Sequence, residues 1–356
     1  MRREAALAVV LSALYAPFAS ALVAPGNGNY FVGFTDIEHD APINSFQLKV
    51  QRTYNSRSQF AGLFGYGWGS DYEAFLLPSA DGSVVVQESG GGDKTRFSPT
   101  EFSKADLSKQ VDRLVEAYGE KLKGTGQRAS DLREKLLNNA NERDEVSRTL
   151  GIFPQLPEGT KLYSTQRGDK QTLTVHKLGY VREFADGKRE LFNVKVDVVD
   201  QGVDPTKQRV LKGVYKVNQV SDPVKKAQIF YEYDAKGHLI TVTDKKTQTL
   251  RFRYNDLGKV VEVSDKNGNK ATYEYCDAGG AAYNSAKKCS RGDLVRSKDT
   301  SNGVFSFQYD PIHNLTRRCR RKGKFPSRLT CGLSRAGPFP FHTRIRCFWR
   351  SLRLYR

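Results

Sequence analysis

A 21-residue period constrains this chain more than any other feature. It spaces Tyr233, Tyr254 and Tyr275 equally, as it does Gly237, Gly258 and Gly279, and Asp244 and Asp265; after an insertion it resumes at Gly292, Asp299 and Tyr309-Asp310. A period of this length marks supersecondary units that bury their apolar faces against one another. The residues inside each unit give its type. Ile229, Tyr231 and Tyr233 stand two apart, as do Leu250, Phe252 and Tyr254, then Ala271, Tyr273 and Tyr275, then Phe305, Phe307 and Tyr309. Arg251 and Arg253, or Thr272 and Glu274, fill the places between. That is period two, a strand with one apolar and one polar face.

Asp234-Ala-Lys-Gly237 and Asn255-Asp-Leu-Gly258 then read as turns, because Asp and Asn bond nearby backbone N–H groups and Gly supplies a positive φ. Leu239–Val242 and Val260–Val263 read as second strands, with Asp244 and Asp265 opening the next turns. Tyr therefore ends a strand and Asp starts a turn. This explanation outweighs a reading of the repeated Asp as catalytic carboxylates. One such hairpin cannot bury its aromatic face alone. The stack is expected to be mainly β, a long antiparallel sheet that curls or closes rather than exposing an edge.

Composition agrees. Tyr and Phe number 17 and 20, with 31 Gly and one Met, which suits twisted sheet. The net charge of +18 is unevenly placed. Thirteen of the 57 Lys/Arg follow Asp310, where no acid occurs, and without them 44 basic residues face 39 acidic ones. The body is nearly balanced, so no specific nucleic-acid binding is expected of it.

Residues 1–21 read as an export signal: Arg2 and Arg3, a short apolar run from Ala5 to Leu14, and Ala19-Ser20-Ala21 as the cleavage site. A buried N-terminal helix is the plainer alternative. No stretch reaches the length of a transmembrane helix. Export to the periplasm, cell surface or medium places the cysteines in an oxidising setting. Cys276 and Cys289 flank the insertion in the third repeat, and a disulfide between them would staple a 13-residue excursion to the sheet; two free thiols is the other reading.

Residues 22–100 read as all-β. Arg52-Thr-Tyr54-Asn55-Ser56 and Gly62-Leu-Phe64-Gly65-Tyr-Gly67-Trp68 are the sharpest local motif. The glycine spacing does not suit a phosphate cradle and no helix follows. Close approach of aromatic rings to backbone, with Trp68 in a core, is expected. Residues 101–153 change character: Leu107, Val111, Leu114, Val115, Tyr118 and Leu122 share one helical face, Leu132 and Leu136 a second, and Gly151 closes a third short run. This reads as a helical insertion docked by its apolar stripe, with partner binding as an alternative. Residues 154–228 return to β, with a turn at Phe184–Gly187 and a degenerate unit at Val220-Ser221-Asp222. Residues 229–316 carry the clear repeats.

The motif Tyr233-Asp234-Ala-Lys-Gly237-His-Leu239-Ile-Thr-Val242-Thr-Asp244 resembles the RHS/YD repeat. Arg52-Tyr54-Asn55-Ser56 followed by Gly65, Gly67, Trp68 and Gly69 resembles the domain that precedes such repeats in secreted bacterial RHS proteins. The resemblance covers residues 22–316. It implies a spiral β-sheet wrapped into a hollow shell, which encapsulates a C-terminal effector in bacterial toxins and supports adhesion in teneurins. It also implies a toxin or effector domain, or further RHS chain, as partner, and glycans as another.

No zinc-like Cys/His spacing and none of the common nucleophile, metalloprotease or nucleotide motifs is present. No cofactor, metal or catalytic residue is expected. The histidines, including His238 and His313, read as surface residues. From Arg317 the period stops, and residues 317–356 read as an irregular basic tail, the out-of-frame or truncated end of a longer gene; a basic arm for anionic surfaces is the functional alternative. The expectation is a non-enzymatic exported scaffold of toxin-delivery type. A carbohydrate-binding or adhesion module and a truncated non-functional product are the other readings; a toxin enzyme would need an active site in the tail.

Overall fold

The computed structural model describes residues 21–321, except 24–27, 39, 41, 59, 90–91, 123–127, 201–208 and 278–282, together with residues 329–333. The expected signal segment up to residue 20, Gly279 and most of the tail lie outside the described residues.

The chain begins with a small antiparallel sheet. β1 (Ala21–Val23), β2 (Tyr30–Glu38) and β3 (Lys49–Asn55) pair in order. After a two-residue pair, β4 (Ala61–Gly62) and β5 (Gly65–Tyr66), the strand β6 (Trp68–Ser70) joins β3. Val50, Arg52 and Tyr54 alternate inward on β3, against half-buried Gln51 and Thr53.

The large sheet starts with β7 (Phe75–Pro78), β8 (Val84–Gln87) and β9 (Lys94–Pro99). The helical insertion follows: α1 (Lys104–Leu122), α2 (Ala129–Asn138) and α3 (Ala140–Leu150). Ser103 and Asp106 cap α1 reciprocally: each one's backbone N–H donates to the other's side chain. Gly151 ends α3 in the left-handed conformation, its N–H donating to the Ser147 carbonyl. The apolar stripe packs Val111, Leu114, Leu132 and Leu136 around Ala80, so the insertion docks on the loop between β7 and β8.

The sheet resumes with β10 (Lys161–Ser164), which pairs back onto β9 as if the helices were absent. β11 (Thr172–His176), β12 (Gly179–Glu183), β13 (Arg189–Asp200) and β14 (Arg209–Asp222) continue it. β14 is the branching strand. One edge is covered by β13. The other is shared: Tyr215 and Lys216 pair with Leu76 and Phe75 of β7, closing the ring β7–β14, whereas Gln219–Asp222 pair with the next strand. From there run β15 (Ala227–Tyr233), β16 (Leu239–Thr243), β17 (Thr249–Tyr254), β18 (Val260–Asp265) and β19 (Lys270–Tyr275). A two-residue ribbon, β20 (Tyr283–Asn284) with β21 (Cys289–Ser290), fills the excursion. β22 (Leu294–Lys298), β23 (Val304–Tyr309), β24 (Leu315–Arg321) and β25 (Leu329–Leu333) complete the sheet.

The protein is thus mainly β, with a large closed sheet and inserted helices. Leu250 and Phe252 are buried while Arg251 and Arg253 are exposed, as period two requires. The sequence period fades after Thr316, yet β24 runs on to Arg321. Backbone pairing does not need the repeat's side chains. Arg318 takes the place of the inward Val, facing Phe307 across the ladder, and its guanidinium lies 5.8 Å from the Phe34 ring centre.

Candidate functional site

The repeat residues are brought together at the two ends of the sheet. At one end, each turn is built around its acidic or amide residue. Asp234 Oδ1 accepts the N–H groups of Lys236 and His238; Asp310 Oδ1 accepts those of Ile312 and Asn314. At the other end, Asp244 Oδ1 takes Lys246, Thr247 and Gln248, Asp265 Oδ1 takes Asn267 and Asn269, and Asp299 Oδ1 takes Gly303. Asp244 is accordingly held well below the usual carboxylate range: partial burial raises it and these hydrogen bonds more than offset that. Gly237 and Gly258 have φ of 78° and 69°. In the Asp310 turn that position is His313, at φ 66°. His313 is not a surface residue as expected: Nδ1 lies 2.7 Å from Oδ1 of the buried Asp293, and the ring packs on Tyr66. His238 likewise stacks on Tyr254 and bonds Asp234.

The tyrosines do more than end strands. Tyr233, Tyr254, Tyr275 and Tyr309 donate their hydroxyls to the carbonyls of Val217, Leu239, Val260 and Leu294, at 2.7 to 2.8 Å. Every one of these acceptors belongs to the preceding unit. A register shift sits at each tyrosine, leaving Ile240, Val261, Val295 and Thr316 as the extra residue of a bulge. Bulges re-aim side chains, and here the bulge coincides with the tyrosine that reaches back. Burial pushes these phenols up. Cys276 and Cys289 are joined in a disulfide, and the excursion folds onto the fourth unit through Tyr309 N–H to Lys288 O and Tyr283 OH to Tyr309 O.

The densest chemistry lies where the small N-terminal sheet covers the aromatic face of the repeats. Arg52 is fully buried. Nε donates to Asp36 Oδ2 at 2.5 Å, and Nη2 donates to Asp36 Oδ1 at 3.1 Å and Ser297 Oγ at 2.6 Å. Its guanidinium lies 4.6 to 5.6 Å from the ring centres of Phe34, Trp68, Tyr273 and Phe307. Tyr273 OH donates to the same carboxylate. Burial opposes the charge on Arg52, but Asp36 outweighs it and holds the guanidinium above its ordinary range. Trp68 Nε1 donates to Tyr309 OH at 2.9 Å, and Tyr54 OH accepts from Leu315 N–H while donating to His313 O. Gly67, at φ 74°, lets the backbone press on Tyr54: a Cβ there would sit 2.8 Å from the ring. Gly67 therefore serves ring packing, as the sequence suggests, whereas a Cβ on Gly65 would first meet the Gly292 carbonyl and one on Gly62 the Glu73 carboxylate.

Beside this seam is a buried acid and base. Glu73 accepts from Leu63 N–H and Ser70 OH, and Lys259 Nζ donates to the carbonyls of Ala61 and Gly62, both at 2.9 Å. Burial pushes Glu73 up to about 7 and Lys259 down to about 8. Values near neutrality are typical of proton-transfer groups, but here the polar atoms are taken up in holding residues 61–63 onto the repeats. Among the described residues no group of His, Cys, Asp and Glu could hold a metal.

A pH dependence follows. Folded Glu73 binds its proton more tightly than the unfolded chain, so its contribution is whole below the ordinary glutamate range and is lost as pH rises through about 7. At roughly 1.4 kcal/mol per unit the loss is on the order of 3 kcal/mol. Lys259 acts in the opposite sense, its contribution falling as pH drops through about 8. Urea titrations of Glu73→Gln between about pH 5 and 7 should show a flatter profile than the parent; an unchanged slope rejects Glu73 as its source.

These features define a repeat-built β scaffold whose N-terminal sheet is packed into its own repeats. Residues 233–270 match the family model of the RHS Repeat, and residues 21–95 match a domain of unknown function, DUF6531. The chain thus carries an RHS/YD repeat. Among solved structures it is similar to one described as "Crystal Structure of TcdB2-TccC3-Cdc42", at 12% identity and a TM-score of 0.22, covering 67% of this chain and 13% of that one. It is also similar to a Photorhabdus luminescens Tc holotoxin pore carrying a TccC3 mutation, at 12% identity and a TM-score of 0.22, covering 82% and 13%. The chain thus spans 13% of the length of either. No curated protein matches it. No helix among the described residues is long and apolar enough to cross a membrane.

Proposed function

We propose that the chain is a non-enzymatic, exported scaffold, part of a shell that carries a toxin or effector polypeptide. The carrying observation is the seam. The aromatic face of the repeats turns inward and the N-terminal sheet covers it, fixed by Arg52, Asp36, Tyr54 and Trp68. Such a wall presents a polar outer side and an ordered inner one, which suits enclosure. A glycan-binding reading needs exposed rings, and Tyr231, Phe252, Tyr273, Phe305 and Phe307 are buried. The repeat match supports the scaffold class, and the RHS resemblance supplies the idea of cargo.

Protease protection tests it. The chain is isolated from its natural source with any accompanying polypeptide and treated with protease. Protection of that polypeptide until the shell is denatured is expected. Isolation with nothing attached, or cargo digested as fast as a denatured control, refutes the proposal.

A further inference from the structure

One end of the sheet has a chemistry that the scaffold role does not use. The turns at 184–188, 222–227, 244–248 and 265–269 all lie at that end, because successive antiparallel strands return there. Lys225, Lys226, Lys245, Lys246 and Lys266 stand exposed on their tips, with Lys270 just behind. The acids of these turns point back: Asp222, Asp244 and Asp265 accept backbone N–H groups of their own turns. Carboxylate is therefore consumed inside each turn while ammonium projects beyond it. Lys225 also lies 3.6 Å from Asp222 and Lys245 sits over the Phe230 ring, and both remain exposed. Glu38, Asp40 and Asp186 are exposed acids near these turns among the described residues, and Asp71 is a further exposed acid, within electrostatic reach of Tyr231.

The same end carries two large apolar side chains in water. Val224 is 81% exposed and stands directly before Lys225 and Lys226. Ile43 is 93% exposed, on the loop between β2 and β3. That loop is tied to the Asp244 turn: Gln248 Nε2 donates to Phe46 O, Leu48 N–H donates to Gln248 Oε1, and Ser45 Oγ lies 3.5 Å from Asp244 Oδ2. Ile43 and the Lys245-Lys246 tip are thus held on one rim. Successive hairpins place the tips roughly 10 Å apart, twice the interstrand spacing.

We infer that this rim docks on an anionic lipid surface, with Ile43 and Val224 entering the headgroup layer and the lysines facing lipid phosphates. Apolar tips flanked by basic residues suit a bilayer interface, which offers both an apolar layer and negative charge. An anionic polysaccharide or nucleic acid would use the lysines and leave the two apolar tips without a role. Juxtaposed lysines contribute additively near an anionic bilayer, each on the order of fivefold in affinity, and salt weakens them.

Co-sedimentation of the full chain with vesicles tests the inference. Vesicles of equal parts phosphatidylglycerol and phosphatidylcholine should bind it, and phosphatidylcholine alone should not. Joint replacement of Lys225, Lys226, Lys245 and Lys246 by Gln should weaken binding at least about a hundredfold, with an unchanged circular dichroism spectrum because all four are exposed turn residues. Ile43→Ser with Val224→Ser keeps every charge and should weaken vesicle binding about tenfold, while leaving retention on polyphosphate unaltered. No binding to anionic vesicles overturns the inference. So does undiminished binding by the lysine variant, which would assign the charge to residues 317–356. If the Ile43/Val224 variant binds vesicles as the parent does, the rim recognises anionic charge in general and the lipid assignment is wrong.

Discussion

Arg52→Met is expected to destabilise the chain by about 3–5 kcal/mol, the cost of leaving the buried Asp36 carboxylate without its cation. Size is nearly preserved in this change, so the loss reports charge and hydrogen bonding rather than a cavity. Asp36 would keep only the Tyr273 hydroxyl among the side chains bonded to it here, and Ser297 would lose the guanidinium. Arg52→Lys should recover part of the loss but not all, because one ammonium cannot supply both forks to Asp36 and also stack among four rings. The double variant Arg52→Met with Asp36→Leu should be more stable than Arg52→Met alone. Urea denaturation followed by circular dichroism, run as a double-mutant cycle, gives the coupling; additive effects of the two single changes would show that the pair does not hold the seam.

Trp68→Ala is the second large effect, at about 3–5 kcal/mol, since the ring is fully buried and its removal leaves a cavity in the seam. Trp68 touches Phe34 and Tyr54 on its own sheet and Phe307 on the repeats, with ring centres 5.2 to 5.6 Å apart. Trp68→Phe keeps an aromatic ring but removes the donor to Tyr309. It should cost less, about 1–3 kcal/mol for the smaller ring and the unmade hydrogen bond. Hydrogen exchange at β23 and β24 distinguishes local from distributed loss. Faster exchange there in Trp68→Ala is expected; unchanged exchange would mean that the small sheet and the repeats are held independently.

The repeat was legible because its cause is local. Asp244 needs only the next four residues to make its turn, and Gly237 needs only its own φ, so spacing alone exposes both. The insertion was legible for the same reason: Val111, Leu114, Leu132 and Leu136 follow one helical face each. The bulges were not, because Ile240, Val261, Val295 and Thr316 share only β-branching, which neighbouring strand residues such as Thr241, Val242, Val260 and Val263 share as well. The hydroxyl of Tyr254 finds its acceptor in another unit, which period analysis cannot see. Arg52 left a trace that could have been followed. Leu48, Val50 and Tyr54 put it on the buried parity of β3, and an inward Arg requires a partner. Nothing local could have named that partner's company, since Ser297 is 245 residues away. His313 departs from the surface residue its sequence context suggests because it holds a turn position usually given to Gly, and only the fold brings Asp293 to it.

The backward reach of the tyrosines has a consequence for how such a chain is made. The carbonyl of Leu239 is engaged by Tyr254, and that of Val260 by Tyr275, in each case 15 residues later. A unit emerging from the ribosome thus remains unlatched until the next tyrosine appears. A chain cut short within a repeat therefore leaves its last second strand without its latch, whatever that strand's own sequence.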